Sequence, residues 1–207
     1  MTSIKSLNRH IFLGVVSVVK RDFVLHLIFS IIPVLCFSQA TTGIKVGGGI
    51  YRPGGIKSNY EFGYEGGFFS KAELGKKASL FLELDYSVKK AEVMTKEKSS
   101  FLEQNFVNFR FSGSYDFTEH FFLAAGPSFS YMIHTTQSIQ LIPYSYFTHF
   151  AVGIDPCIGY ETVRFIFFVR YEVALTVLTL ESTPIASGNI LTGTHWRGLK
   201  AGVGVKI

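Results

Sequence analysis

Beyond residue 40 the chain alternates apolar and polar residues with period two. From Val163 the odd positions read Val163, Phe165, Phe167, Val169, Tyr171, Val173, Leu175 and Val177, while the even positions include Arg164, Arg170, Glu172 and Thr176. Successive side chains of a strand point to opposite faces, so this pattern predicts a strand with one apolar and one charged side. Val107, Phe109, Phe111, Tyr115 and Phe117 alternate in the same way with Asn108, Arg110, Ser112, Ser114 and Asp116. So do Leu80, Leu82, Leu84, Tyr86 and Val88 against Ser79, Glu83, Asp85 and Lys89. The same test along the chain gives eight strands, at about 43–51, 60–74, 78–93, 101–117, 121–135, 144–160, 163–180 and 194–207.

Most of these exceed the ~5 to 6 residues of an ordinary globular strand and reach the ~9 to 11 needed to cross a bilayer at a tilt. The connections alternate strictly: 75–77, 118–120 and 161–162 are tight, and 52–59, 94–100, 136–143 and 181–193 are longer. Short periplasmic turns and longer external loops are the rhythm of an outer-membrane barrel. The expectation is therefore an all-β chain forming an eight-stranded antiparallel up-and-down transmembrane β-barrel. An even strand number lets the sheet close, which removes the unpaired N–H and C=O groups that an open edge would leave in hydrocarbon.

Aromatic residues gather toward strand ends, at Tyr60, Phe62, Phe117, Phe121, Tyr144, Tyr146, Phe147, Tyr160 and Trp196, as interfacial girdles would. Pro127 and Pro156 fall inside predicted strands. Proline removes a ladder donor, so a local bulge is expected at each. Gly47-Gly48-Gly49 lacks the following helix and the Lys-Ser/Thr of a phosphate loop, and reads as a device for strand curvature.

Residues 1–40 read as an export signal. Lys20 and Arg21 precede an apolar stretch from Phe23 to Cys36, and Ser38-Gln39-Ala40 offers small residues at both recognition positions, so cleavage is expected after Ala40. Ile11 to Val19 is also apolar, which makes the signal long or places the true start downstream of Met1; an uncleaved anchor is the alternative. Cys36 follows Leu35, which does not suit a lipoprotein signal. The mature barrel domain would then be 41–207. Losing Lys5, Arg9, Lys20, Arg21 and Asp22 leaves 16 basic and 14 acidic residues and a net charge of +2, so charge gives no support to a nucleic-acid partner. Cys157 becomes the sole cysteine, which excludes an internal disulfide.

Side chains about fill the lumen of an eight-stranded barrel. With apolar faces outward, the lumen receives Lys45, Glu65, Glu83, Asp85, Asn108, Arg110, Arg164, Arg170, Glu172 and Lys200. Charges packed without water must pair, so these residues are expected to form a structural polar network; a narrow conduit or small-ligand cavity is the rival reading. Chemistry at the external rim would draw on His134 and His195 with Ser182 or Ser187 and Glu181, as in a hydrolase or acyltransferase. No spacing motif links them, and no catalytic, cofactor-binding or metal-binding residue is assigned. His120, His134, His149 and His195 are scattered and lack ligand spacing.

Several stretches resemble the PorT-like outer-membrane β-barrel family, within the outer membrane protein beta-barrel domain class. They are Phe81-Leu82-Glu83-Leu84-Asp85-Tyr86-Ser87, Phe122-Leu123-Ala124-Ala125-Gly126-Pro127, Gly153 to Tyr160 running into Val169-Arg170-Tyr171, and the closing Gly198 to Ile207. The resemblance implies an export signal, an eight-stranded barrel in a Gram-negative outer membrane and, for some relatives, a part in export machinery. The leading expectation is a non-enzymatic barrel, grouped with the porin family but without a wide pore, with a structural or interaction role through external loops 52–59, 136–143 and 181–193. The alternatives are a narrow channel or an accessory component of transport or secretion, and a periplasmic ligand-binding barrel. Expected partners are outer-membrane lipid and lipopolysaccharide, periplasmic chaperones, the barrel-assembly machinery and a protein at the external loops, with no nucleic acid.

Overall fold

A computed structural model describes residues 40–54, 58–94, 99–137, 149–176 and 195–207, all within the unit Ala40–Ile207. The predicted leader up to residue 39 lies outside these residues, as do Tyr144, Tyr146, Phe147 and most of the longer connections.

The described residues form ten strands: β1 (Ala40–Gly54), β2 (Ser58–Glu73), β3 (Ala78–Met94), β4 (Ser99–Asp116), β5 (Phe121–Ala125), β6 (Pro127–Gln137), β7 (Phe150–Ile154), β8 (Cys157–Glu161), β9 (Phe165–Ala174) and β10 (His195–Lys206). β5 with β6, and β7 with β8, each make one stave interrupted at a proline, so the ring has eight staves. Every pairing is antiparallel, and β10 bonds to both β9 and β1, which closes the barrel. Ala40 pairs with Ala72 and Gly43 with Lys206, so both ends of the unit lie at the end of the tight turns.

At the opposite end the first two connections are shorter than the alternation predicts. β1 continues through Arg52, Pro53 and Gly54, and β2 resumes at Ser58; β3 reaches Met94 and β4 starts at Ser99. The polar residues there still find cross-strand partners, such as Arg52 opposite Arg197 and Asn59 opposite Glu92. Pairing, not polarity, sets the strand ends.

The expected bulges at Pro127 and Pro156 are absent. Across Gly126 the ladder to β4 keeps one register, from Gly113 opposite Ala125 to Arg110 opposite Ser128. The hairpin partner also stays in step, from Phe121 opposite Tyr160 to Pro127 opposite Ile154. Asp155 N–H still donates to Gly126 O (3.2 Å) and Tyr171 N–H to Pro156 O (3.0 Å), so each proline interrupts the strand without inserting a residue. Gly126 is demanded by the break: a Cβ there would collide with the Phe111 carbonyl. The register shifts that do occur lie between Tyr60 and Tyr64 and between Asn105 and Phe106.

The phase of the strands follows the pattern. Val46 is 60% exposed on the outside and its neighbour Lys45 3% exposed within. Phe167 faces out and Phe168 in.

Candidate functional site

The lumen is filled in three layers. The middle layer holds five cations, Lys45, Lys89, Arg110, Arg170 and Lys200, and five anions, Glu65, Glu83, Asp85, Asp155 and Glu172, all buried. They form one connected network. Arg110 is its hub: its guanidinium donates to Asp85, to Asp155 Oδ2 (2.6 Å) and to Glu65 Oε2 (3.3 Å). Lys200 Nζ bridges Glu65 Oε2 (2.8 Å) and Glu172 Oε2 (3.1 Å), and Lys89 completes the pairing of Glu172. Lys45 Nζ holds Glu83 Oε2 (2.5 Å) and Asp85 Oδ2 (3.0 Å), while the Arg170 fork takes both oxygens of Glu83 at 2.7 and 2.5 Å. A fork of this kind fixes direction as well as charge.

Neutral groups complete the belt. Asn108 donates to Asp85 Oδ1 (2.8 Å) and Ser87 Oγ (2.9 Å) and accepts from Ser130 (2.7 Å), and Ser128 donates to Asp155 Oδ1 (3.0 Å). Charge balance matters because an uncompensated ion in so dry a place costs several kcal/mol. Gly49 makes room for one member: a Cβ there would stand 2.6 Å from that of Lys200.

Apolar plugs lie above and below. Toward the tight turns are Phe69, Phe81, Phe122, Ala124, Cys157, Ile166 and Phe168, with the Phe81 and Phe122 rings stacked at 5.3 Å. Toward the other end are Tyr51, Ala91, Leu102, Phe106, Met132, Ala151, Ala174 and Trp196. Cavities of about 20 and 10 Å3 remain beside the two plugs, space for no more than about one water each. Below the first plug, Lys71 and Lys206 clasp Glu161, each at 2.5 Å, and Lys71 lies over the rings of Phe81 and Phe122.

Of the ten residues assigned to the lumen from the sequence, nine are drawn into the belt. Arg164 is not. It is exposed in the turn before β9, because the strand begins only at Phe165, whose N–H is taken by the Thr162 hydroxyl at 3.0 Å. Trp196 also departs from expectation: it is 1% exposed inside the barrel, not in a girdle, and its indole N–H donates to Gln104 Oε1 at 2.8 Å. An amphipathic ring can close an apolar plug if its polar edge finds an acceptor.

Lys89, Asp155 and both plugs were missed. Lys89 was visible in the alternation, on the face of Glu83 and Asp85. Asp155 was masked by the neighbouring Pro156. The plug near the tight turns had a signal in the doublets Phe68-Phe69, Phe121-Phe122 and Phe167-Phe168, in each of which one ring faces out and the other in.

Among the rim groups weighed for catalysis, His134 is exposed and its Nε2 is 3.0 Å from Thr136 Oγ1. His195 stands on β10, with β7 and β9 between it and β6 in the ring. Glu181, Ser182 and Ser187 lie outside the described residues.

A closed ring of amphipathic strands, apolar without and ionic within, defines an outer-membrane β-barrel. Residues 37–179 match the sequence model of the outer membrane protein beta-barrel domain, and the chain belongs to that family. Among solved structures it is similar to Neisserial surface protein A, at 15% identity over 81% of this chain and 99% of that one, with a TM-score of 0.53. It is also similar to Ail, the attachment invasion locus protein of Yersinia pestis (8% identity, 82% and 99% covered, TM-score 0.41). A further similar structure is the outer membrane protein OprG from Pseudomonas aeruginosa (12%, 81% and 94%, TM-score 0.39). No curated protein sequence matches the chain.

Proposed function

We propose that this protein is a closed, non-enzymatic outer-membrane scaffold that acts through its external surface. The observation that carries the reading is the lumen: five cations matched by five anions, locked between two apolar plugs. An ion entering this space would have to displace a paired charge, and a solute would have to part the aromatic rings. Neither fits a conduit. The tight-turn end then faces the periplasm and the opposite end the exterior, by the general construction of these barrels. Segments 136–143 and 181–193, with the short connections at 55–57 and 95–98, form the contact surface, since loops on a rigid scaffold carry variable function.

In this reading residues 1–40 direct export and are removed, and periplasmic chaperones and the barrel-assembly machinery deliver the chain to a Gram-negative outer membrane. The likeness to PorT-like barrels supports a place beside export machinery as an accessory, without conduction by the barrel itself. The test is single-channel recording in planar bilayers. The scaffold reading predicts no steady current from the folded protein; an ohmic, concentration-dependent conductance would overturn it in favour of the narrow channel.

A further inference from the structure

The ring closes where β10 meets β1, and this seam is poor in side chains. Most of its pairs from Gly43–Lys206 to Tyr51–Gly198 include a glycine, whereas the long β3–β4 ladder has only Gly113. Contacts between cross-strand side chains stabilise a sheet, and glycine supplies none. Neighbouring strands cover the seam from inside instead. At the tight-turn end the ring of Phe69, on β2, reaches across β1 to β10: a Cβ at Gly43 would stand 2.4 Å from it and one at Gly204 2.8 Å.

Glu161 makes a second crossing at the mouth of the lumen. Its Oε2 accepts from Lys71 Nζ on β2 and its Oε1 from Lys206 Nζ at the end of β10, each at 2.5 Å. Lys206 Nζ also donates to Thr162 O at 2.6 Å. β2 and β8 stand on opposite sides of the ring, with β3, β4 and β5 between them, so one carboxylate ties the first hairpin to the last strand. The other acid on Lys71 is Asp116 of β4, whose Oδ1 is 4.0 Å away. Unlike the dry belt, this group meets water: the side chains of Glu161 and Lys206 are 19% and 15% exposed.

We propose that Lys71, Glu161 and Lys206 form a latch on the closing seam. While the carboxylate holds both lysines, the end of β10 stays paired with β1; when it lets go, this seam opens locally ahead of the other ladders. The order follows from what holds each ladder. β3 and β4 are joined through their own side chains, whereas β1 and β10 depend on groups reaching in from β2 and β8, and local opening begins where a strand has the least packing of its own.

The test is hydrogen–deuterium exchange read by mass spectrometry on the full barrel in lipid vesicles, comparing peptides from 41–50 and 199–207 with peptides from β3 and β4. Glu161→Gln should speed exchange in the seam peptides by about tenfold, the scale of a lost charge-assisted bond, and leave β3–β4 unchanged. Lys206→Met should have a similar effect and add little in the double variant, because both substitutions break one contact. Lys90→Met, which removes the outer-wall pair with Glu103 at 3.2 Å, should leave the seam as in wild type. In the wild-type barrel, raising the salt concentration should speed the seam selectively, since ions screen the wet latch far more than the buried belt. Unchanged seam exchange in folded Glu161→Gln, a wild-type seam indifferent to salt, or equal acceleration of β3–β4 would overturn the latch, as would a seam loosened just as much by Lys90→Met.

Discussion

At mid-lumen the barrel buries ten charges in one cross-linked belt; toward the tight turns the same lumen is closed by Phe69, Phe81, Phe122 and Phe168. Both regions exclude water, by opposite means. Burying an apolar side chain stabilises by roughly 1.5 to 3 kcal/mol, whereas for a buried ion pair the cost of desolvation can exceed the Coulomb gain. The belt therefore adds little net stability while it is whole and a large penalty when one member is lost. Its directional contacts reach across the lumen between particular staves, as from Lys45 on β1 to Glu83 on β3 and from Lys200 on β10 to Glu65 on β2, and so favour one strand register over others. The plug contributes packing that depends on volume.

This contrast can be broken at its strongest point with Arg110→Met. The substitution keeps bulk but leaves Asp85, Asp155 and Glu65 short of a cation, and should cost about 3 to 5 kcal/mol in reversible urea unfolding in lipid vesicles. A loss under 1 kcal/mol would mean that water reaches the belt. Next in size is the plug. Phe122→Ala removes a ring stacked on Phe81 and should cost at least ~3 kcal/mol, with the neighbouring Phe121→Ala far milder because lipid can fill the space it leaves. Equal effects would mean that the two faces are packed alike. Smaller again is Phe167→Arg on the lipid-facing wall, expected to cost ~2 to 4 kcal/mol depending on its depth. A harmless arginine there would place Phe167 away from acyl chains.

Period two revealed the strands and their phase, because every stave has one side against lipid and the other against charge. It revealed most of the belt for the same reason. The pattern ran one step too far at Arg164, where parity is right but the strand has not begun. It also gave the prolines a bulge each, although a closed sheet tolerates one missing ladder bond without slipping register. The plugs were harder to read. Alternation places Phe167 outward and Phe168 inward, and in a doublet such as Phe121-Phe122 one ring must likewise point inward whatever its polarity, but strand phase alone does not say which inward rings stack into a plug. Trp196 was misplaced by the habit of assigning tryptophan to the interface, when Gln104 offered its N–H a partner inside.

Cys157 lies in the lumen as part of the plug near the tight turns, lining the same small cavity as Arg170 and Glu83 of the belt. In a Cys36→Ser chain reconstituted in vesicles, its modification by a membrane-impermeant maleimide reads access to the lumen directly. A sealed barrel predicts no labelling from either side until the protein is unfolded, then complete labelling. Rapid labelling of the folded barrel would contradict a lumen closed by paired charge and stacked rings.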